Sequence, residues 1–458
     1  MNIIRICPTL THSSDHRKVL KDKLINKNNF YEQLEVYREE EVIIPGSWAK
    51  GLEDLGCSKV IDILPQDIEL QLLWLDTHKY DIKLSRYNYL IASNDWLGII
   101  TAQIDYYKPK YIYLYAGGWM VLLPEHRAKL NAYKPYMDHK DFTFTGMWAD
   151  ELPKIWSYQN WFDEVPFFFV STNEYKKLCR KYTSKDIFVT GNSFSDYKKK
   201  IEFKKEKKYD LVFIGTTGYG VPEHTRRYEI LDYLCRNIDI KIFSNEMENF
   251  RYSKINLWIR TKAILTKISS LFPSIILEKL AKYFYKKSDR LFNLFNWSKR
   301  YKENKENPLA YFNSAFHKNA KYFIGKEPLH KLYPDKVKKV ELFGKKYNEV
   351  IADSKIVINT HRDELCDYGN IRDFEVTGLG SLLITDKAEN MKELFVDGEE
   401  YVSFLDKKDL LEKIKYYLKN NEEREKITLA GMKKTHNNFL AKHRAEVIKK
   451  VFDAKLKI

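Results

Sequence analysis

Cysteine is scarce in this chain: five in 458 residues (Cys7, Cys57, Cys179, Cys235 and Cys366), with no CxxC pair. That spacing excludes a zinc ribbon or a disulfide framework and fits thiols kept reduced in a cytoplasm. Glycine and proline are also few, 18 and 13, too few for a collagen-like or low-complexity chain. No run of roughly 18 apolar residues occurs, so no spanning helix is expected. The opening MNIIRICPTLTHSSDHR lacks a basic stretch, a long apolar run and a small-residue cleavage site, and it reads as a first strand rather than a leader. Repeats of fixed period are missing, and biased composition is confined to short lysine clusters such as KKKIEFKKEKK at 198–208.

Apolar residues are abundant, at 44% with 15% aromatics, so the chain can bury a substantial interior. Its length exceeds one ordinary core and predicts two domains. The net charge of +15 is local. Residues 251–350 hold 23 basic and 8 acidic side chains, and the remainder of the chain balances to zero. An evenly basic chain would suggest nucleic acid; one basic block on a neutral chain suggests a local docking surface.

Short apolar runs typical of buried parallel strands fall at 2–7, 60–64, 89–92, 111–115, 167–171 and 187–190. A second series falls at 211–214, 240–243, 356–359, 382–385 and 402–404. Helical patterns lie between them, at 66–76, 95–107, 174–181, 224–236 and 408–420. This alternation predicts α/β architecture with parallel sheets and helices on both faces. The lysine-rich stretch 196–208 marks the break, giving Rossmann-like domains over 1–200 and 201–458 that face each other across a cleft. A final helix is expected over 436–457, and only analogy, not the residue pattern, suggests that it packs back on the N-terminal domain.

The most informative segment is 354–386, SKIVINTHRDELCDYGNIRDFEVTGLGSLLITD. A buried strand ends in Asn359-Thr360-His361, a loop carrying Gly369 follows, and Asn370 opens a short helix that Gly378 and Gly380 terminate. The amino end of a helix beside a glycine-bearing turn offers N–H groups and a positive dipole end to phosphate oxygens. Arg372 supplies either a planar two-pronged donor for a diphosphate or an ion-pair partner for Asp373 or Glu375. Glu375 is suited to grip two ribose hydroxyls, as carboxylates do in dinucleotide sites. Phe374 reads as core. His361 is either a donor contact or a strand-end histidine satisfied by backbone.

These residues resemble the signature of the group 1 glycosyltransferases of GT-B fold, closest to the spore-maturation CgeB-like branch. That branch carries a strand ending in asparagine, then Asn-x-Arg-x-Phe-Glu, a glycine-containing turn and an apolar strand ending near Thr-Asp. Here they stand as Asn359, Asn370 to Glu375, Gly378 with Gly380, and Thr385-Asp386. The wider superfamily has two glutamates separated by seven residues; Glu375 with Gly380 fits the second, and the first position is the shorter Asp367. A looser match covers 209–234, where Gly215, Gly218 and Gly220 let the backbone come close to a ligand and Arg226 or Arg227 is expected to meet phosphate.

The resemblance implies a transferase that moves a sugar from a nucleotide-diphosphate sugar to a saccharide or lipid-linked acceptor. It implies residues 201–458 as the donor domain, 1–200 as the acceptor domain, no cofactor, and no essential metal. It would suit cytoplasmic surface-polysaccharide synthesis, in places at the inner face of the membrane. The acceptor side should lie in segments 91–98, 113–120 and 145–156, with Gly117-Gly118 at a turn and Trp96, Trp119 and Trp148 either stacking on sugar or half-packed. Asp95, Asp150 and Glu151 are the candidate catalytic bases. Between 250 and 302, within a helical stretch reaching about 330, apolar residues recur at helical spacing among lysines and arginines, broken by Pro273. Such helices either lie on an anionic membrane surface or pack their apolar stripe on the enzyme. Two other functions fit less well: polyanion or nucleic-acid binding by the 251–350 block, and nucleotide-sugar epimerisation.

Overall fold

Ten of the eleven predicted strands occur, each within two residues of its expected bounds, and the eleventh, 89–92, lies outside the described residues. The computed structural model describes residues 1–7, 13–41, 43, 47–65, 67–80, 96–115, 130, 133–148, 165–180, 183–284, 291, 294–295, 298–299, 302, 317–361, 363 and 369–456. They divide into two units, one built on Met1–Tyr197 with Leu440–Ile458, the other on Lys198–Phe284 with Asp289–Phe439.

In the first unit the strands are β1 (Asn2–Ile6), β2 (Lys59–Ile63), β3 (Tyr111–Leu114), β4 (Thr143–Trp148), β5 (Phe167–Val170) and β6 (Asp186–Val189). They form one sheet in the order β2-β1-β3-β4-β5-β6, every neighbour parallel. Its helices among the described residues include α1 (Ser13–Leu24), α2 (Phe30–Glu39), α3 (Trp48–Asp54), α4 (Ile68–Thr77), α5 (Trp96–Tyr107) and α6 (Asn173–Cys179). β5, Phe-Phe-Phe-Val, is buried along its whole length, as a central parallel strand covered on both faces must be. Strand β4 escapes the sequence reading because Thr143, Thr145 and Gly146 break its apolar run.

A buried charge cluster sits inside this sheet. Asp62 of β2 accepts from the Arg5 guanidinium of β1 and, at 2.7 Å, from Arg38 Nε of α2. Burial would raise the Asp62 carboxyl, but the two guanidiniums hold it below the usual carboxylate range. The helix expected over 436–457 divides in two; only Ala441–Leu456 belongs to this unit. Phe452 of that helix stacks on Tyr111 with ring centroids 4.1 Å apart, and Ala445 and Ile448 share a core with Trp48 and Leu52 of α3.

The second unit contains β7 (Tyr209–Ile214), β8 (Lys241–Ser244), β9 (Val337–Lys339), β10 (Ser354–Ile358), β11 (Leu382–Asp386) and β12 (Val402–Phe404). Its helices include α7 (Thr225–Asn237), α8 (Tyr252–Ser269), α9 (Ser274–Phe284), α10 (Gly344–Ala352), α11 (Ile371–Gly378), α12 (Lys407–Lys419) and α13 (Asn421–Asn438). The sheet order is β12-β11-β10-β7-β8-β9, all parallel. The chain therefore starts at the middle, builds outward through β8 and β9, and returns to build the other way from β10. That is the doubly wound Rossmann order, and it opens a crevice where the direction reverses, between β7 and β10. Phe213, Leu231, Ile242, Ile356 and Ile384 lie in the core beneath it. The edge strand β9, Val-Lys-Lys, has two exposed lysines and carries no apolar signal.

Candidate functional site

Two arginines span the reversal point at the carboxyl ends of β7 and β10. Arg227, on the first turn of α7, donates from Nε to Thr360 Oγ1 at 2.8 Å and from Nη2 to the Thr360 carbonyl at 2.7 Å. Its Nη1 reaches Thr216 on the other side, at 3.2 Å from the carbonyl and 3.1 Å from Oγ1. Arg372, on α11, donates from Nη1 to the Ile214 carbonyl at 2.5 Å and lies 4.9 Å from the Tyr347 ring. Between these anchors, Gly215 turns the chain out of β7 with φ of 137°, a conformation closed to residues with a Cβ.

The start of α11 is organised by asparagines. Asn370 is the N-cap, its side chain accepting from the Arg372 amide at 2.9 Å. Asn359 Nδ2, just beyond β10, donates to Asn370 Oδ1 at 3.1 Å and to Asp373 Oδ1 at 2.7 Å. One turn on, Glu375 is only 5% exposed. Its Oε1 accepts from Lys198 Nζ at 2.9 Å, its Oε2 from the Tyr347 hydroxyl at 2.5 Å, and Arg372 Nε stands 3.7 Å away. Burial would raise the Glu375 carboxyl, but the Lys198 and Arg372 charges hold it below its ordinary range. The helix ends at Gly378, whose carbonyl accepts from His436 Nε2 at 2.9 Å. Gly380 has φ of 77°, a left-handed conformation that favours glycine, and a Cβ there would press on the Phe203 ring at 3.1 Å.

A second charge cluster lies alongside. His361 is buried with its Nδ1 2.8 Å from Asp386 Oδ1 and its Nε2 3.0 Å from Asp373 Oδ2. Burial opposes charge on the ring, yet the two carboxylates raise its pKa to about 9, so both ring nitrogens donate and the imidazolium ties β10 to α11 and β11. Arg226, 42% exposed in its side chain, places Nη1 3.6 Å from Asp386 Oδ2. Asp363 Oδ2 accepts from Thr225 Oγ1 at 2.7 Å and the Arg226 amide at 3.2 Å, while its Oδ1 has no hydrogen-bond partner among the described residues. Burial raises this carboxyl.

The structure thus gathers Gly215, Arg226, Arg227, His361, Asn370, Arg372 and Glu375 around the ends of three adjacent strands, with Gly378 and Gly380 closing α11. Asp95, Asp150, Glu151 and Asp367 lie outside the described residues, as do Gly117, Gly118 and Trp119. The sequence reading missed Lys198, Tyr347 and Asp373. Lys198 is one of seven lysines in 198–208, and Tyr347 sits on a helix before the motif; nothing local distinguishes either. Asp373 was visible as the first-turn acid, but its histidine partner was not.

Residues 320–450 match a family model described as glycosyl transferase-like. No curated protein matches the chain. Among solved structures, sucrose-phosphate synthase from Thermosynechococcus elongatus aligns over 100% of this chain and 99% of its own, at 8% identity and a TM-score of 0.51. Anabaena HepE in complex with UDP and glucose aligns over 99% and 100%, at 9% identity and a TM-score of 0.52; its complex with UDP-glucose gives 10% identity and the same TM-score. Two all-parallel six-stranded sheets, the second in Rossmann order, define a doubly wound α/β fold. Residues 320–450, which carry β9 to β12, are similar to a glycosyl transferase-like family, and the chain shares the two-sheet fold of these solved structures.

Proposed function

We propose that the donor, a nucleotide-diphosphate sugar, sits at the carboxyl ends of β7, β10 and β11. Its phosphates would lie against Gly215, Asn370, Arg226, Arg227 and Arg372, and its ribose against Glu375. The observation that carries this reading is the pair Arg227 and Arg372 pinned across the reversal point of a Rossmann-ordered sheet, beside the start of α11. Glu375 takes the ribose by sharing or exchanging its Lys198 and Tyr347 contacts, since each carboxylate oxygen accepts more than one hydrogen bond. His361 acts through its neighbours, holding Asp373 and Asp386 in place under the site.

The finer assignments belong to the same proposal. The Asn-x-Arg-x-Phe-Glu pattern at 370–375 supports the CgeB-like branch, and HepE, which holds UDP and UDP-glucose, supports a uridine donor. Transfer is hexosyl-type and independent of metal and cofactor, with Arg226, Arg227 and Arg372 stabilising the leaving diphosphate. Residues 1–200 bind the saccharide or lipid-linked acceptor, and Asp95, Asp150 or Glu151 supplies the base if the anomeric centre inverts. The product is a surface polysaccharide made in the cytoplasm, and nucleic acid is no partner. A thermal-shift screen against UDP-, GDP-, CMP- and dTDP-sugars tests the donor assignment. One nucleotide raises the melting temperature in the wild type and fails to do so in Glu375→Ala. An undiminished shift in that variant contradicts the placement.

A further inference from the structure

Helices α8 and α9 leave a row of large apolar side chains uncovered, although α9 buries Leu277 and Ala281. On α8 the buried positions include polar Thr266 and Ser269, and Thr266 Oγ1 has no hydrogen-bond partner among the described residues. Exposed apolar side chains recur among the exposed basic ones: Ile264, Leu265 and Ile268 on α8, Leu271 and Phe272 at the turn, and Ile275 in the first turn of α9. Leu271 is 80% exposed and Ile268 55%. Soluble surfaces carry scattered apolar residues, but a contiguous stripe of this size marks a contact.

Charge selects the occupant. Residues 251–284 contain seven basic side chains and one acid, Glu278. That acid is neutralised, with Lys282 Nζ at 3.0 Å and Lys299 Nζ at 2.7 Å. Lys254, Arg260, Lys267, Lys279 and Lys282 are exposed around the apolar stripe. A second copy of the chain would bring this positive face against itself, because a two-fold contact pairs like with like. An anionic lipid leaflet satisfies both features, taking the apolar side chains at its acyl boundary and the cations at its headgroups. No helix among the described residues is long and apolar enough to cross a membrane, so contact along the surface is the mode that fits.

We infer that the α8–α9 pair, led by Leu271 and Phe272, docks the enzyme on an anionic membrane surface. This inference does not depend on the donor site. The test is co-sedimentation of the full chain, without donor, with vesicles of phosphatidylcholine alone or mixed with phosphatidylglycerol. The wild type should partition to the mixed vesicles only. Leu271→Asn with Phe272→Asn, at positions too exposed to disturb folding, should lower partitioning about tenfold or more. Lys267→Glu with Lys279→Glu should abolish the preference for phosphatidylglycerol. Absence of binding to either vesicle overturns the inference, as does binding that survives both double variants. A dimer in sedimentation velocity that the Leu271 and Phe272 changes dissociate would instead assign the face to a second copy.

Discussion

Each unit buries a cluster of charges, and the two clusters differ in what they adjoin. In the first unit Asp62, Arg5 and Arg38 meet within the sheet and its covering helix, on side chains of neighbouring strands. In the second, Lys198, Glu375, His361, Asp373 and Asp386 meet where three strands end and α11 begins. The Asp62 carboxylate has both oxygens taken by guanidiniums of its own unit. A charge at the carboxyl edge of parallel strands lies where α/β sheets receive ligands. Both clusters lie near the carboxyl ends of their strands, since Arg5 and Asp62 are the penultimate residues of β1 and β2. The first is closed on itself, whereas the second adjoins the start of α11 and the arginines of the proposed donor site.

The sharpest break in that comparison comes from Asp62→Ala. It removes the buried carboxylate shared by two guanidiniums and should cost about 3–5 kcal/mol in denaturant unfolding. A loss under about 1 kcal/mol would mean that solvent reaches the cluster. Next is His361. Its folded pKa, near 9, lies above the ordinary value of 6.5, so its contribution is complete below about pH 6.5 and is lost as pH rises through 9. Wild-type stability should fall by about 3 kcal/mol across that window, and His361→Gln should flatten the fall. A wild-type profile flat from 6.5 to 9 contradicts a charged imidazole.

Smaller effects sharpen the contrast on the functional side. Glu375→Gln keeps the shape and removes the charge, and it should weaken donor binding by about 1.5–3 kcal/mol in calorimetry. The matching change in the first unit, Asp62→Asn, should leave donor affinity unchanged in the protein that folds. Arg226→Ala should weaken the donor by about 1 kcal/mol or less, because its partly exposed guanidinium works in a screened setting. A larger loss would make Arg226 a main phosphate ligand.

The fold was largely legible. Continuous apolar runs such as Phe167–Val170 and Leu382–Ile384 identify buried parallel strands without help from tertiary contacts. The failures have local causes: Thr143 and Gly146 dilute the signal of β4, and the lysines of β9 hide an edge strand. The helix read over 436–457 merged the end of α13 with a helix that starts at Ala441, because periodicity does not show a two-residue break. Within the site, Asn370, Arg372 and Glu375 were found because one motif holds them in register. Lys198 and Tyr347 are brought to Glu375 from 177 and 28 residues away, and such pairings are set by packing rather than by spacing. His361 was weighed as a ligand contact or a backbone-satisfied residue; its two carboxylate partners, 12 and 25 residues on, make it an internal tie instead.

The central claim is that the second unit's strand ends hold the donor, and a crystal structure with bound UDP-sugar examines it directly. Density for the diphosphate beside Arg227 and Arg372, with a ribose hydroxyl about 2.5–3.2 Å from a Glu375 oxygen, is the predicted result. A nucleotide bound elsewhere, with Glu375 still closed on Lys198 and Tyr347, would contradict it.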